Sequence, residues 1–214
     1  TSLITTAKSS RWVPYAYTRR AAANYNLKKY DATANDYIEV LEKYPTHPAS
    51  QDILLPLQEA LNLAKRNGEF DKYLAQFKAI NPDAAGIEVV EFEAAKNLYF
   101  SQSYTSAADK LGAYAMNYPE SPRRMEARYY QAESYYRLKE FAKALELYNE
   151  ISAESTFAFI NKTVGRQAEL TFKLGNYDKA VASFQRLQLI AANKKEQNTA
   201  WNGLMESYYL LAQY

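Results

Sequence analysis

Cysteine is absent from this 214-residue chain, and histidine (1), glycine (6) and proline (7) are scarce. The lack of cysteine excludes disulfides, cysteine-based zinc sites and thiol nucleophiles in one step. It leaves the compartment open, since cytosolic and envelope proteins alike can do without the residue. So few glycines and prolines remove the turn punctuation that a β-sandwich or barrel needs. No apolar run reaches 18 residues, so nothing in the sequence is long enough to span a membrane as a helix. A basic cluster is missing too: 26 Lys and Arg are interleaved with 24 Asp and Glu, which speaks against nucleic acid as a partner. The opening TSLITTAKSS carries neither an initiator Met nor the apolar stretch of a signal peptide. The chain therefore reads as a processed or excised piece of something longer.

What is present favours helix. Ala, Leu, Glu, Lys, Gln and Arg dominate, and 48% of residues are hydrophobic, enough for a substantial core. The end of the chain, MESYYLLAQY, repeats AESYYRLKEF from 73 residues earlier. This self-similarity calls for a search for a period. An aromatic following a short polar break marks one: Tyr30, Phe70, Tyr104, Phe141, Tyr177 and Tyr214, spaced by 40, 34, 37, 36 and 37 residues. Three residues later comes a small residue (Thr33, Ala107, Ala144, Ala180), and four further on a large apolar one (Tyr37, Leu111, Tyr148, Phe184). That spacing keeps both on one helical face. Matching small sites precede the markers at Ala21, Ala95, Ala132 and Ala168, whereas the second unit carries Leu61 and Tyr73 where small residues are expected.

The pattern predicts helix pairs 14–27 with 31–43, 51–66 with 70–80, 86–100 with 104–117, 122–137 with 141–153 and 158–173 with 177–192, then a lone helix 195–212. Gly68 and Gly175 suit left-handed helix ends, and Ser121–Pro122 reads as an N-cap followed by proline in the first turn. The last helix shows an apolar stripe of Trp201, Leu204, Tyr208 and Leu211. Left uncovered, such a stripe implies either that the chain continues past residue 214 or that the helix 195–212 self-associates.

The quoted residues resemble the tetratricopeptide repeat. Trp201, Leu204 and Tyr208, with Met205 in place of Gly, match its W-x2-L-G-x2-Y part; Ala144–Tyr148 and Ala180–Phe184 match A-x3-F; Pro45 and Pro119 match the closing Pro. The resemblance implies an all-α, right-handed α-α superhelix of about five and a half helix-turn-helix repeats. These repeats are 14–47, 48–83, 84–120, 121–156, 157–194 and a half repeat 195–214, forming one solenoid over 14–214 after an N-terminal segment 1–13. YPTHP and YPESP also resemble the YP-x-S-P junctions of bacterial envelope repeat proteins, of the outer-membrane assembly lipoprotein and Tol–Pal-associated kinds. That implies a periplasmic or cell-envelope location, with the cytoplasm as the alternative.

No route to catalysis is visible. The single histidine, His47, falls at an inter-repeat turn and reads as solvent-facing. Acidic pairs such as Glu39 with Glu42 lie beside lysines as a solvated face. No G-x-S-x-G, Walker or dinucleotide fingerprint occurs, so neither an enzyme nor a cofactor is expected. In solenoids of this kind the first helices line a concave face on which peptides lie. Projecting the helical phase from the small sites onto that face selects Tyr25, Asn26, Asn62, Lys65, Lys96 and Tyr99. It then selects Tyr129, Glu133, Tyr136 and Arg137, followed by Glu169, Lys173, Asn202, Glu206 and Tyr209. The expected function is a non-catalytic scaffold binding a protein or extended peptide. The alternative is a carbohydrate-binding or glycan-handling component that stacks sugars on these tyrosines. A chaperone-type grip on C-terminal carboxylates is not expected, because Thr18 and Ala22, and Tyr129 and Glu133, stand where its Lys and Asn belong.

Overall fold

The computed structural model describes residues 2–6 and 10–212. Tyr214, the last of the aromatic markers, lies outside them. Among the described residues there are thirteen α-helices, one 3-10 turn and no strand. The chain forms two compact units, Thr1–Ala94 and Ala95–Tyr214.

The first unit opens with a short helix α1 (Ser2–Thr6), followed by α2 (Val13–Asn26) and α3 (Tyr30–Lys43). Next come α4 (Pro48–Asp52), α5 (Leu54–Leu63), the 3-10 turn Asn67–Glu69 and α6 (Phe70–Ile80). α7 (Ile87–Phe100) begins in this unit and ends in the second. The predicted helix 51–66 is thus two helices with a break at Ile53, and it stops three residues early. The core gathers one face of each helix: Ala21 from α2, Val40 and Leu41 from α3, Leu54 to Leu61 from α5, and Phe70, Leu74 and Phe77 from α6. At ~25 cal/mol per Å2 of apolar surface removed from water, faces of this kind supply most of the stability of such helices.

The second unit continues with α8 (Tyr104–Asn117), α9 (Arg124–Arg137), α10 (Phe141–Ser152), α11 (Ile160–Lys173), α12 (Tyr177–Ile190) and α13 (Lys194–Leu210). Each packs on the next. The small sites do what small side chains permit, a close helix approach: Ala107, Ala132, Ala144, Ala168 and Ala180 are all completely buried. Glycine makes the tightest approach. A Cβ at Gly203 would stand 2.3 Å from the Phe184 ring, so α13 lies directly against α12. Gly203 rather than Met205 therefore makes the close contact of this helix, and Met205 is exposed. The predicted stripe divides accordingly: Leu204 packs on the core beside Ala200, whereas Trp201 faces solvent.

Backbone dihedrals expose the period directly. Lys28, Lys65, Gln102, Lys139, Gly175 and Ala212 all take a left-handed conformation, at intervals of 37, 37, 37, 36 and 37 residues. The first five each end a first helix with the same paired hydrogen bonds. In the fourth repeat, for example, the Glu140 N–H donates to the Tyr135 carbonyl and the Lys139 N–H to that of Tyr136. Gly68 is not among them; Lys65 takes the left-handed position expected of it. The aromatic marker follows the left-handed residue by two positions in every described repeat except the second. There the turn Asn67–Glu69 inserts three residues before Phe70. This insertion lengthens one interval to 40 and shortens the next to 34. It also moves the small-site position of the second unit from Leu61 to Gln58, which is buried.

The inter-repeat turns differ slightly from expectation. His47 is half-buried; its Nδ1 accepts from the Ala49 N–H and caps α4, while its ring meets Tyr15 edge-on at 4.9 Å. Ser121 accepts from the Arg123 N–H and pairs with the Tyr114 hydroxyl, but the helix starts only at Arg124. Ser121–Pro122 therefore forms the turn before α9 rather than its first turn.

Candidate functional site

Counting back from the left-handed residues aligns the first helices. Three positions before each stand Tyr25, Asn62, Tyr99, Tyr136, Phe172 and Tyr209; six before stand Ala22, Glu59, Lys96, Glu133, Glu169 and Glu206. Most of the predicted site residues fall into these two columns, and the columns have distinct jobs.

The aromatic column clasps the turn. Tyr25 meets Tyr30 at 5.6 Å, Tyr99 meets Tyr104 at 5.7 Å, Tyr136 meets Phe141 at 5.9 Å and Phe172 meets Tyr177 at 5.4 Å. Tilted and edge-to-face contacts of this kind are favourable beyond the area they bury. In the second repeat Asn62 offers no ring, and there Phe70 has moved away by three residues. The hydroxyls of the column then reach into the next repeat. Tyr25 donates to Glu59 and Tyr136 to Glu169, each at 2.6 Å. The hydrogen bond to Glu59 pushes the Tyr25 phenol up to about 12, because the bond favours the protonated donor.

In the second unit the carboxylate column organises a closed network. Glu133 Oε1 accepts from the Tyr148 hydroxyl at 2.6 Å and from Arg166 Nε at 3.2 Å. Arg166 Nη1 donates to Glu169 at 2.9 Å, and its guanidinium lies 3.8 Å from the centre of the Tyr136 ring. Burial holds the Tyr148 phenol well above the ordinary tyrosine range, with the Glu133 charge adding to the effect. A buried carboxylate is tolerated only with such partners. The projection that put Tyr129 and Glu133 on an open face is corrected here: they are only 7% and 5% exposed. Tyr129 is packed against Phe157 and Phe159, and burial pushes its phenol up as well.

The remaining residues of this unit present an accessible strip. Tyr99, Tyr136 and Glu169 are half-buried; Arg137, Lys173, Asn202, Glu206 and Tyr209 are exposed. Arg137 bonds to the Tyr99 hydroxyl, Lys173 Nζ sits 4.1 Å from the Phe141 ring, and Lys96 reaches Glu126 at 3.5 Å. The strip thus runs over α9, α11 and α13, which lie side by side. At its end Phe172, Met205, Glu206, Tyr209 and Leu210 line a mainly apolar cleft of about 450 Å3. In the first unit Tyr25 and Glu59 join α2 to α5, with Asn26 exposed and Asn62 half-buried nearby on the same two helices. Lys65 does not share their helical face, because it stands in the left-handed turn after α5.

Residues 126–154, which hold most of α9 and all of α10, match the tetratricopeptide repeat family. Solved structures resemble most of the chain. MamA protein is 15% identical with a TM-score of 0.55, the match covering 95% of this chain and 96% of that one. A putative kinesin light chain of Podosopora anserina with nearly identical TPR-like repeats is 14% identical with a TM-score of 0.53, covering 86% and 97%. The apo form of RapI is 17% identical with a TM-score of 0.53, covering 92% and 77%. The fold is all-α and tetratricopeptide-like. No curated protein matches the sequence.

Within this tetratricopeptide-like fold, Arg166 and Phe172 are the site residues that sequence reasoning missed. Arg166 stands nine positions before its left-handed residue, where Arg19 is the one matching cation among the other described repeats. Phe172 lacks the hydroxyl that marked its column as tyrosines. Counting three back from Gly175 places Phe172 in the aromatic column, whereas no repeat-wide signal marks Arg166.

Proposed function

We propose that the chain is a non-catalytic scaffold that holds a protein segment along the first-helix strip of residues 95–214. The observation that carries the reading is the make-up of that strip. Exposed Arg137, Lys173, Glu206 and Tyr209 stand on three adjacent helices whose backbones are fixed by half-buried aromatic clasps and a closed charge network. A rigid support under exposed polar ends lowers the ordering cost of binding. Sugar stacking is not favoured, since it needs open ring faces and the rings of Tyr25, Tyr99 and Tyr136 are packed against their neighbours. The envelope location rests on the YP-x-S-P junctions alone, and fractionation of the source cell tests it.

The test is to select peptides from a random display library against the whole chain and measure their affinity at low and high salt. A segment held by the charges of this strip loosens as salt rises. Affinity indifferent to salt, or selection of a neutral glycan in place of any peptide, overturns the proposal.

A further inference from the structure

The fourth and fifth repeats show what the strip is built to hold. At the fourth-to-fifth junction, the ring of Tyr136 and the carboxylates of Glu133 and Glu169 surround the guanidinium of Arg166. One repeat further, the equivalent ring is Phe172 and the equivalent outer carboxylate is Glu206. The position of Arg166 itself is taken by Gly203, nine residues before the left-handed Ala212. No arginine can stand there: a Cβ at 203 would lie 2.3 Å from the Phe184 ring. The hydroxyl that would otherwise reach the carboxylate is missing too, because Phe172 replaces tyrosine. Among the described residues nothing donates a hydrogen bond to the exposed Glu206.

We infer that the cleft beside Phe172 and Glu206 receives an arginine side chain of the bound protein segment, in the role that Arg166 fills one repeat earlier. The inference rests on the proposed scaffold function and names the chemistry that this end of the strip selects. The cleft is apolar along Phe172, Met205 and Leu210 and charged at one point, Glu206. That profile suits a side chain with an aliphatic stem and a delocalised cationic head. A planar guanidinium can lie over an aromatic face while donating to a carboxylate, as Arg166 does over Tyr136. Lys173, the nearest like charge in sequence, points its Nζ at the Phe141 ring of the preceding repeat.

N-acetyl-L-arginine amide, titrated into the isotopically labelled whole chain and followed by NMR, tests this. The expected result is saturable shifts at Phe172, Met205, Glu206 and Tyr209, with affinity in the millimolar range of a single side chain. N-acetyl-L-citrulline amide, which keeps the shape and loses the charge, should bind at least tenfold more weakly. Glu206→Gln should weaken arginine by a similar factor. Phe172→Tyr, which supplies Glu206 with the hydroxyl that Tyr136 gives Glu169, should do the same by occupying the carboxylate from within. Shifts of equal size with citrulline, arginine affinity unchanged in both variants, or no shift at these four residues overturns the assignment. A display-selected peptide that still binds in a salt-dependent way after such a result leaves the scaffold reading standing, so the two failures are distinguishable.

Discussion

Gly203 and Arg166 stand at equivalent positions in successive repeats and do opposite things. Gly203 exists so that Phe184 can lie on α13. Gly203→Ala should cost about 1–3 kcal/mol through overpacking, and a melting temperature equal to the parent's would contradict the contact. Arg166 stabilises the buried Glu133, so Arg166→Ala strands a carboxylate and should cost about 3 kcal/mol. Chemical denaturation with retained helical circular dichroism in the native baseline reads that loss. Neither role was legible in the sequence. Helical phase put Glu133 correctly on the first-helix face, but phase gives direction and not depth. Tyr148, rising from α10 beneath it, and Arg166, crossing from α11, bury the carboxylate that the projection left open.

At the scale of helices and turns, the sequence was far more readable. Helix α8 and the bounds of α6 fall where the pattern put them, because aromatic markers and alanines at fixed spacing report a real contact at both ends of each turn. The second repeat misled for one physical reason: three extra residues form the 3-10 turn Asn67–Glu69, held by Arg66 gripping Glu69 and reaching Asn35. Deleting residues 67–69 should leave helical circular dichroism intact. Deleting three residues within α10, which rotates the whole Ala144 face, should abolish cooperative unfolding. The left-handed turn is a second test. Lysine at 139 bears a steric cost that glycine avoids, so Lys139→Gly should stabilise by about 0.5 kcal/mol after glycine's added chain entropy is counted. Gly175→Ala should destabilise by about 1 kcal/mol at the equivalent place. If both changes move stability the same way, the turn geometry is not what limits it.

For the whole molecule, the helical repeat class was legible because it depends on period, and period survives degenerate motifs and one insertion. The function was less so, since fifteen candidate positions spread over five repeats and the closing half repeat in the sequence resolve into clasps, a buried network and an exposed strip only when helices are stacked. Half the attraction of the tyrosines as ligand groups disappears once their rings and hydroxyls are seen to join repeats. What stays available is charge on the first helices, and the account stands on that charge meeting a protein segment. The most direct measurement compares two charge reversals of the same size against one display-selected peptide. Arg137→Glu with Lys173→Glu alters the first-helix strip; Lys143→Glu with Lys179→Glu alters exposed positions on the second helices α10 and α12. The expected result is at least a tenfold loss of affinity in the first pair and a change within about twofold in the second, a difference of about 1 kcal/mol or more in favour of the strip. Equal losses in both, or a loss confined to the second pair, would contradict the placement of the binding face.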